Sequence, residues 1–283
     1  MKNFVYILLI SLSFISCEKY IDFDAEVKQP KLVINGIINP DSTFDIHISR
    51  SLSVIDNAEL SIVEDATVNI LDENGGVYET LSYYYDGHYL GVQKPMNNQR
   101  YSIEVATPGF EDVSSSTAIP NLVSLSDVDT LGVEDVDGFK ELELTITFQD
   151  IANEENFYML EVFAADLVSG QVYLNPMSMR SDDVTLGLDE NGYDTQVFFS
   201  DELFDGETKT LVVYVEDTRD YDDYIEIRMT SITQELERYA RTQNAYENNY
   251  GNPFAQPVQV YSNVEGGFGI FAGYQVSRKK ITF

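Results

Sequence analysis

The sequence predicts a mainly β protein, in which an immunoglobulin-like β-sandwich is followed by a larger β-rich domain with one α-helix. Short segments of alternating apolar and polar residues recur between turn residues, and this period of two is typical of half-buried strands. Only one segment has the three- and four-residue spacing of an amphipathic helix. A chain of 283 residues also favours about two domains.

Residues 29–120 are predicted to form the sandwich. Thr43–Leu52 alternates, with Phe44, Ile46 and Ile48 on one face, and Asp72–Gly76 contains an Asn-Gly pair that suits a hairpin turn. The predicted strands are Lys31–Ile38, Thr43–Leu52, Thr67–Leu71, Val77–Tyr85, His88–Val92, Arg100–Thr107 and Phe110–Ala118. So many short strands without a helical stretch favour a small β-sandwich.

Residues 121–283 are predicted to form the second domain, after a boundary at Pro120 and the Ser/Asp-rich run to Thr130. Its predicted strands are 142–148, Phe157–Ala165, Thr195–Phe199, Thr210–Val215, Tyr224–Thr230 and Val258–Asn263, followed by a last strand that ends at Phe283. The helix is predicted over 232–246, with Ser231 and Gln234 as a capping box at its start.

The glycine-rich segment from Gly266 to Tyr274 precedes the last strand. A phosphate-binding loop requires a helix after the glycines, and here a strand pattern follows. The favoured interpretation is structural: the glycines permit close backbone approach, while Phe268, Ile270 and Phe271 enter the core. The alternative is a loop that faces a partner.

The N-terminus predicts export and lipid anchoring. Lys2 precedes an apolar run from Phe4 to Ile15, which at about 18 Å as a helix is too short for a bilayer core of about 30 Å. Residues 1–16 therefore predict a signal peptide. Ser16 before Cys17 resembles a bacterial lipobox, with cleavage between them and lipidation of Cys17; the alternative is an ordinary secretory signal that ends near a cysteine. Residues 17–28 form a short acidic tether.

The composition limits the possible functions. The chain has 17 basic and 48 acidic residues and a net charge of −31, so nucleic-acid binding is not expected. One cysteine and two histidines supply neither a disulfide nor a Cys/His metal site. No Gly-x-Ser-x-Gly or His-Glu-x-x-His motif is present. We therefore predict a non-enzymatic protein without a cofactor.

Negative charge is concentrated in residues 121–207, where 21 acidic and two basic residues give a net charge of −19. Asp189–Asp194 has the oxygen-rich composition of a calcium-binding turn. Its spacing does not match an EF-hand, and Asp72–Gly75 repeats the same tetrapeptide in a plain hairpin. We interpret the region as a solvated acidic surface and predict no metal site.

Tyrosines are the candidate contact residues. Tyr83, Tyr84 and Tyr85 are consecutive, so at least one must face away from the core of a strand. Tyr221 and Tyr224 flank two aspartates. A tyrosine offers apolar area and a hydroxyl to sugars, peptides or proteins. The alternative role for these rings is packing at a sheet edge or between domains.

Five stretches together resemble one family. They are the lipobox, Leu32–Ile38, Ser49–Ser51, Ala66–Ile70 and Ser262–Phe271. In order and spacing they are similar to the Bacteroidota lipoproteins of domain of unknown function 4249, over about residues 17–283. Members of that family are often encoded beside TonB-dependent outer-membrane receptors. The resemblance supplies no catalytic residues.

The resemblance implies an outer-membrane lipoprotein that helps a TonB-dependent receptor to capture or take up its substrate. The acidic tether is similar to the export tag of surface-exposed Bacteroidota lipoproteins, so the body is expected outside the cell. Two alternatives stay open: a structural or adhesive surface lipoprotein without a transporter partner, and a periplasm-facing lipoprotein that assists envelope assembly.

Overall fold

The computed structural model describes residues 29–52, 61–134, 138–188, 194–220, 222–252 and 254–283. Within these ranges, fifteen strands and one α-helix confirm the mainly β class with a single helix. Among the described residues, no helix is long and apolar enough to cross a membrane. The predicted lipid-anchor residues Ser16 and Cys17 and the rest of 1–28 lie outside the described residues.

Seven strands precede residue 120. They are β1 (Leu32–Ile38), β2 (Asp45–Arg50), β3 (Thr67–Leu71), β4 (Val77–Tyr85), β5 (His88–Leu90), β6 (Arg100–Ala106) and β7 (Val113–Ala118). The other elements are β8 (Leu125–Glu134), β9 (Lys140–Gln149), β10 (Phe157–Val168), β11 (Gln171–Pro176), β12 (Val197–Ser200), β13 (Thr208–Glu216), β14 (Tyr224–Ile232), α1 (Gln234–Asn249) and β15 (Phe268–Thr282).

The strands form two sheets. The larger sheet has the order β11-β10-β14-β15-β1-β2-β5-β4-β3-β6-β7, with β12 paired to β10, and the smaller has the order β13-β9-β8. At one end of the large sheet, β7 returns to the segment before β15, where Ser114 and Glu265 exchange backbone hydrogen bonds. This curl encloses the first hydrophobic core.

The first core is built from the inward faces of β1 to β7. Ile34, Phe44, Ile48 and Ile103 are fully buried there, as the period of two in their strands predicts. Val264 and Phe271, from the C-terminal end of the chain, belong to the same core.

The second core lies between the small sheet and the β10–β14 part of the large sheet. Leu144 and Phe148 of β9 pack there with Tyr158 of β10 and Met229 of β14. Strands β8 and β11, which the sequence did not predict, lie at sheet edges and are largely exposed. Neither strand has a regular alternation of apolar and polar residues. The predicted strand Val258–Asn263 was wrong, since this segment has no regular structure.

Strand β15 joins the two parts of the molecule. Its first half pairs in parallel with β1, from Val33 opposite Phe268 to Ile38 opposite Gly273, and its second half pairs with β14. Phe271 thus packs in the first core and Ile281 packs against the second. The predicted units 29–120 and 121–283 consequently share this strand.

The helix begins later than the sequence predicted. Ser231 and Ile232 are the last residues of β14, and Thr233 is the N-cap without a side-chain capping bond. The capping box was therefore wrong, since the Ser231 hydroxyl instead accepts a hydrogen bond from the Val123 amide, 3.1 Å away. Ile232 lies on the same strand face as Glu226 and Arg228, so the apolar alternation of β14 ends before it, and this second face is also largely buried.

Close backbone contact explains the glycine-rich segment. Gly269 has φ +106°, and a Cβ atom there would lie 1.9 Å from the carbonyl oxygen of Ile34 on the parallel neighbour β1. Ile270 and Phe271 are buried as predicted, but Phe268 is 44% exposed and does not enter the core. Position 268 is the first of β15, where the ring lies beside the Lys31 ammonium, 5.8 Å from the ring centre.

Replacement of Gly269 by alanine is expected to destabilise the fold by about 3 kcal/mol or more, because the new methyl group meets main chain in a backbone conformation that L-residues avoid. Gly170→Ala is the matched control: its φ is +82°, but nothing lies within 4 Å of a Cβ there. It should lose only about 1 kcal/mol. Urea unfolding of both variants measures the difference, and equal losses would contradict the close-approach explanation.

Candidate functional site

Three consecutive tyrosines at the end of β4 are all exposed. Tyr83 is 38% exposed, Tyr84 65% and Tyr85 57%. In a regular strand, one face of such a run would point into the core. The sequence pattern required at least one of the three tyrosine rings to face outward, and the structure places all three at the surface.

An irregular hairpin explains this arrangement. The pairing of β4 with β5 shifts between Tyr83 and Tyr85, which is the pattern of a β-bulge. The next two residues, Asp86 and Gly87, both have positive φ (46° and 79°) and form the tight turn into β5. Because the bulge interrupts the alternation, Tyr84 and Tyr85 lie side by side instead of on opposite faces.

Four rings form a continuous surface, which we call the aromatic strip: Tyr84, Tyr85, His88 and His47. The Tyr84 ring meets the Tyr85 ring edge-on at 5.0 Å, and Tyr85 stacks on His88 at 5.3 Å with an interplanar angle of 17°. His47 of β2 is paired with His88 and continues the row, with 5.1 Å between the two ring centres. These centroid distances are those of favourable ring pairs.

The aromatic strip is held from beneath and from the side. His88 Nδ1 lies 2.7 Å from Asp45 Oδ1, which orients the imidazole. Tyr83 packs edge-on against the buried Tyr89 and donates to Glu64 across 3.2 Å. The Tyr89 hydroxyl donates to the Val63 carbonyl oxygen, and burial raises the pKa of this phenol. The exposed rings thus lie on a fixed base and lose little conformational freedom on binding.

The other predicted contact tyrosines do not join the strip. Tyr221 lies outside the described residues. Tyr224 is on β14, five strand positions from β4 in the sheet order, or roughly 24 Å at normal strand spacing. It is half-buried beneath Lys280, whose Nζ lies 4.7 Å from its ring centre. Its surroundings fit the alternative role of packing on a strand.

Three carboxylates converge elsewhere, in residues that the sequence analysis did not single out. One oxygen each from Asp150, Asp201 and Asp205 lies within 4.8 Å of the others, and burial raises the pKa of Asp201. Each carboxylate accepts hydrogen bonds from the protein: Asp150 from Tyr158 and the Gly206 amide, Asp201 from Asn156, and Asp205 from the Asn153 amide.

This acidic cluster ties the loop after β9 to the loop after β12. The geometry is the kind that a hard cation uses, but the protein's own donors already occupy oxygens of all three groups. The calcium-like turn considered in the sequence, 189–194, lies outside the described residues except for Asp194. The cluster combines Asp150 with Asp201 and Asp205, which lie about 50 residues later in the chain, so no local sequence motif predicts it.

The two histidines of the aromatic strip, His47 and His88, were not among the contact residues that the sequence predicted. The sequence analysis considered the two histidines only as too few for a Cys/His metal site. The available signal was the spacing of the two strands: pairing Asp45–His47 with His88–Leu90 places the imidazoles opposite each other. Beside three tyrosines, that register produces an aromatic surface.

Comparison with known proteins identifies the family without a function. No curated protein matches. One similar solved structure is described as "Complete structure of manganese lipoxygenase of Gaeumannomyces graminis and partial structure of zonadhesin of Komagataella pastoris"; the identity is 10%, the match covers 89% of this chain and 93% of that chain, and the TM-score is 0.20. A similarity at that level carries no structural argument. Residues 18–280 match the family described as Domain of unknown function (DUF4249), and the chain belongs to that family.

Proposed function

We propose that this protein is a non-enzymatic, lipid-anchored outer-membrane protein that faces the cell exterior and assists a TonB-dependent receptor in substrate capture. The observation that carries the proposal is the aromatic strip, an exposed set of rings whose positions are fixed before any partner binds. Receptor docking is the role assigned to this surface.

The energetics of the strip favour a contact surface. Tyr84 and Tyr85 are large side chains left largely in water, and they lie side by side instead of singly. Aromatic residues of this kind contribute about 2 kcal/mol or more each when they become buried at the centre of an interface. The phenol hydroxyls and the two imidazoles would supply hydrogen bonds to a protein surface.

The charge of the chain supports attachment through lipid. A net charge of −31 repels anionic membrane surfaces, so electrostatic attraction does not hold such a body at a membrane. Lipidation at Cys17 with more than one acyl chain gives stable anchoring. The tether from 17 to 28 reaches at most about 40 Å when extended, which keeps the body near a receptor in the same membrane.

Loss of the exposed rings should separate the protein from its receptor. We expect Tyr84→Ala/Tyr85→Ala to reduce the receptor barrel recovered with the detergent-solubilised lipoprotein by about tenfold or more. The melting temperature should change little, because both side chains are mainly in water.

The matched control is Tyr173→Ala/Tyr250→Ala, which removes two exposed tyrosines far from β4 in sequence (48% and 79% exposed). It should retain wild-type recovery. Recovery of no barrel by the wild type would contradict the receptor proposal, and equal losses in both double variants would contradict the role of the strip.

Anchoring and orientation have their own test. Cys17→Ala should move the protein from the membrane to the soluble fraction, and mass spectrometry of the wild type should find acyl chains on Cys17. Protease added to intact cells should degrade an outward-facing body. Protection would favour the periplasm-facing alternative, whereas degradation without a copurifying receptor would favour the adhesive one.

A further inference from the structure

A groove, which we call the apolar groove, lies on the outer face of the large sheet beside helix α1. Tyr158 and Leu160 of β10 and Met229 of β14 point into the second core, so the residues next to them in each strand face outward. The groove has a volume of about 370 Å³, which is in the range of small-molecule sites. Its floor is one row of paired residues across four strands: Phe198, Met159, Thr230 and Val276.

Helix α1 forms one wall of the groove. The residues that line this wall recur at three- and four-residue steps and therefore share one helix face: Leu236, Tyr239, Ala240 and Gln243. On the floor, Met159, Phe198 and Val276 are only partly buried. A ligand that covered these side chains would remove apolar surface from water, which favours binding.

The centre of the floor offers side chains and not main-chain groups. At Met159 the main chain is paired with β12 on one edge and with β14 on the other, and at Thr230 it is paired with β10 and β15. An extended peptide requires partners for its own N–H and C=O groups, and these two positions supply none. An aliphatic chain requires only apolar contact, so it suits this floor better.

Basic side chains are concentrated at one end of the groove. In the next row of the sheet, Arg228 of β14 is paired with Arg278 of β15, and both residues line the groove. Glu226 Oε1 lies 2.7 Å from Arg228 Nε and 4.0 Å from Arg278 Nε. Lys280 Nζ lies 3.7 Å from Oε2 of the same carboxylate. Three basic groups around one buried carboxylate give a local excess of positive charge on a chain whose net charge is −31.

Arg278 is the side chain placed to contact an anion. It is exposed, and its carboxylate partners among the described residues, Asp41 and Glu226, lie 3.8 and 4.0 Å away. Both distances exceed that of a charge-assisted hydrogen bond, so the guanidinium can donate to a bound anion. Arg228, by contrast, is fixed by Glu226 and by the Phe163 ring, whose centre lies 4.3 Å from the guanidinium carbon.

The other end of the groove disfavours an anion. Glu161 of β10 lines it, is buried, and accepts a hydrogen bond from Gln196 Nε2 across 2.8 Å. The rim therefore changes from acidic at β10 to basic at β15 over two strand spacings, or roughly 10 Å. This polarity favours a ligand with one anionic group, held at the β15 end, and an uncharged tail.

We propose that the apolar groove binds an unbranched aliphatic carboxylate of medium chain length. The carboxylate lies against Arg278, and the methylene chain extends along the floor from Val276 to Phe198, a span of three strand spacings or roughly 14 Å. This binding site depends neither on receptor docking by the aromatic strip nor on lipidation of Cys17.

Calorimetric titration with decanoate tests the proposal on the full chain with Cys17→Ala, which requires no detergent. Arg278→Gln should weaken decanoate binding by about tenfold or more, because it removes the cation that contacts the carboxylate. Arg238→Gln is the matched control, since Arg238 is exposed on α1 and is not part of the groove wall; it should change the affinity by no more than about twofold. Absence of decanoate binding, or equal weakening in both variants, would overturn the proposal.

The neutral ligand 1-decanol separates recognition of the carboxylate from burial of the chain. Its affinity should change by no more than about twofold in Arg278→Gln, whereas Ala240→Phe, which places a ring in the groove from the helix wall, should abolish binding of both ligands. Melting curves show whether each variant is folded, and the exposed Arg278 position keeps the test available if Ala240→Phe unfolds. Decanoate binding that survives in folded Ala240→Phe, or equal weakening of both ligands in Arg278→Gln, would contradict the assigned site.

Sedimentation of the same protein tests a second copy of the chain as the occupant. The protein should be a monomer with and without decanoate. A dimer that is lost in Ala240→Phe would show that another copy, and not a carboxylate, covers the groove.

Discussion

The parallel pairing of β1 with β15 is the constraint on which the rest of the structure depends. It joins residues near position 34 to residues near 269, and Gly269 permits the close backbone approach. Asn263 supports the pairing, since its side chain accepts from the Phe271 amide and donates to the Phe271 carbonyl oxygen. Through this strand, one continuous sheet contributes to both hydrophobic cores.

The exposed aromatic strip is a consequence of that architecture. Strands β2, β5 and β4 follow β1 in the sheet, so their inner faces are committed to the first core and support the outer rings. The bulge in β4 then moves a third tyrosine to the surface. A contact surface built on packed strands keeps its geometry without a partner, which favours binding by reducing the entropy lost on association.

A cavity of about 950 Å³ with several acidic lining residues, which we call the acidic cavity, lies beside the second core. Strands β9, β10 and β13 fix the positions of Glu141, Asp166 and Glu216, while Thr218, Asp220 and Asp222 follow β13 on the way to β14. Rigid strands and a connecting segment thus meet around one volume.

Much of the fold could be predicted from the sequence, because strands with one buried face have alternating apolar and polar residues. The bounds of β3 and β4 were predicted without error, as was the hairpin turn at Asp72–Gly76. Strands β8 and β11 were missed because they are exposed edges. Ile232 was assigned to the helix because it lies out of phase with the apolar residues Ile225 and Ile227 of β14.

The candidate site was predictable only in part. The run Tyr83–Tyr85 stands out in the sequence, but the stacking of Tyr85 on His88 depends on a bulge and on pairing across two strands. The acidic cavity draws on residues from 139 to 222, and such long-range convergence leaves no local pattern. Tyr224 shows the converse. Its position beside two aspartates suggested a contact residue, but the structure places its ring beneath Lys280 instead of in a binding surface.

Site-specific photo-crosslinking in intact cells tests the central claim most directly. A photoreactive phenylalanine analogue at Tyr84 should form a covalent adduct with a TonB-dependent receptor, because the account places this ring in the contact surface. The same analogue at Tyr173, exposed on the edge strand β11, should form none. Receptor adducts from both positions, or from neither, would contradict the assignment of the aromatic strip as the docking surface.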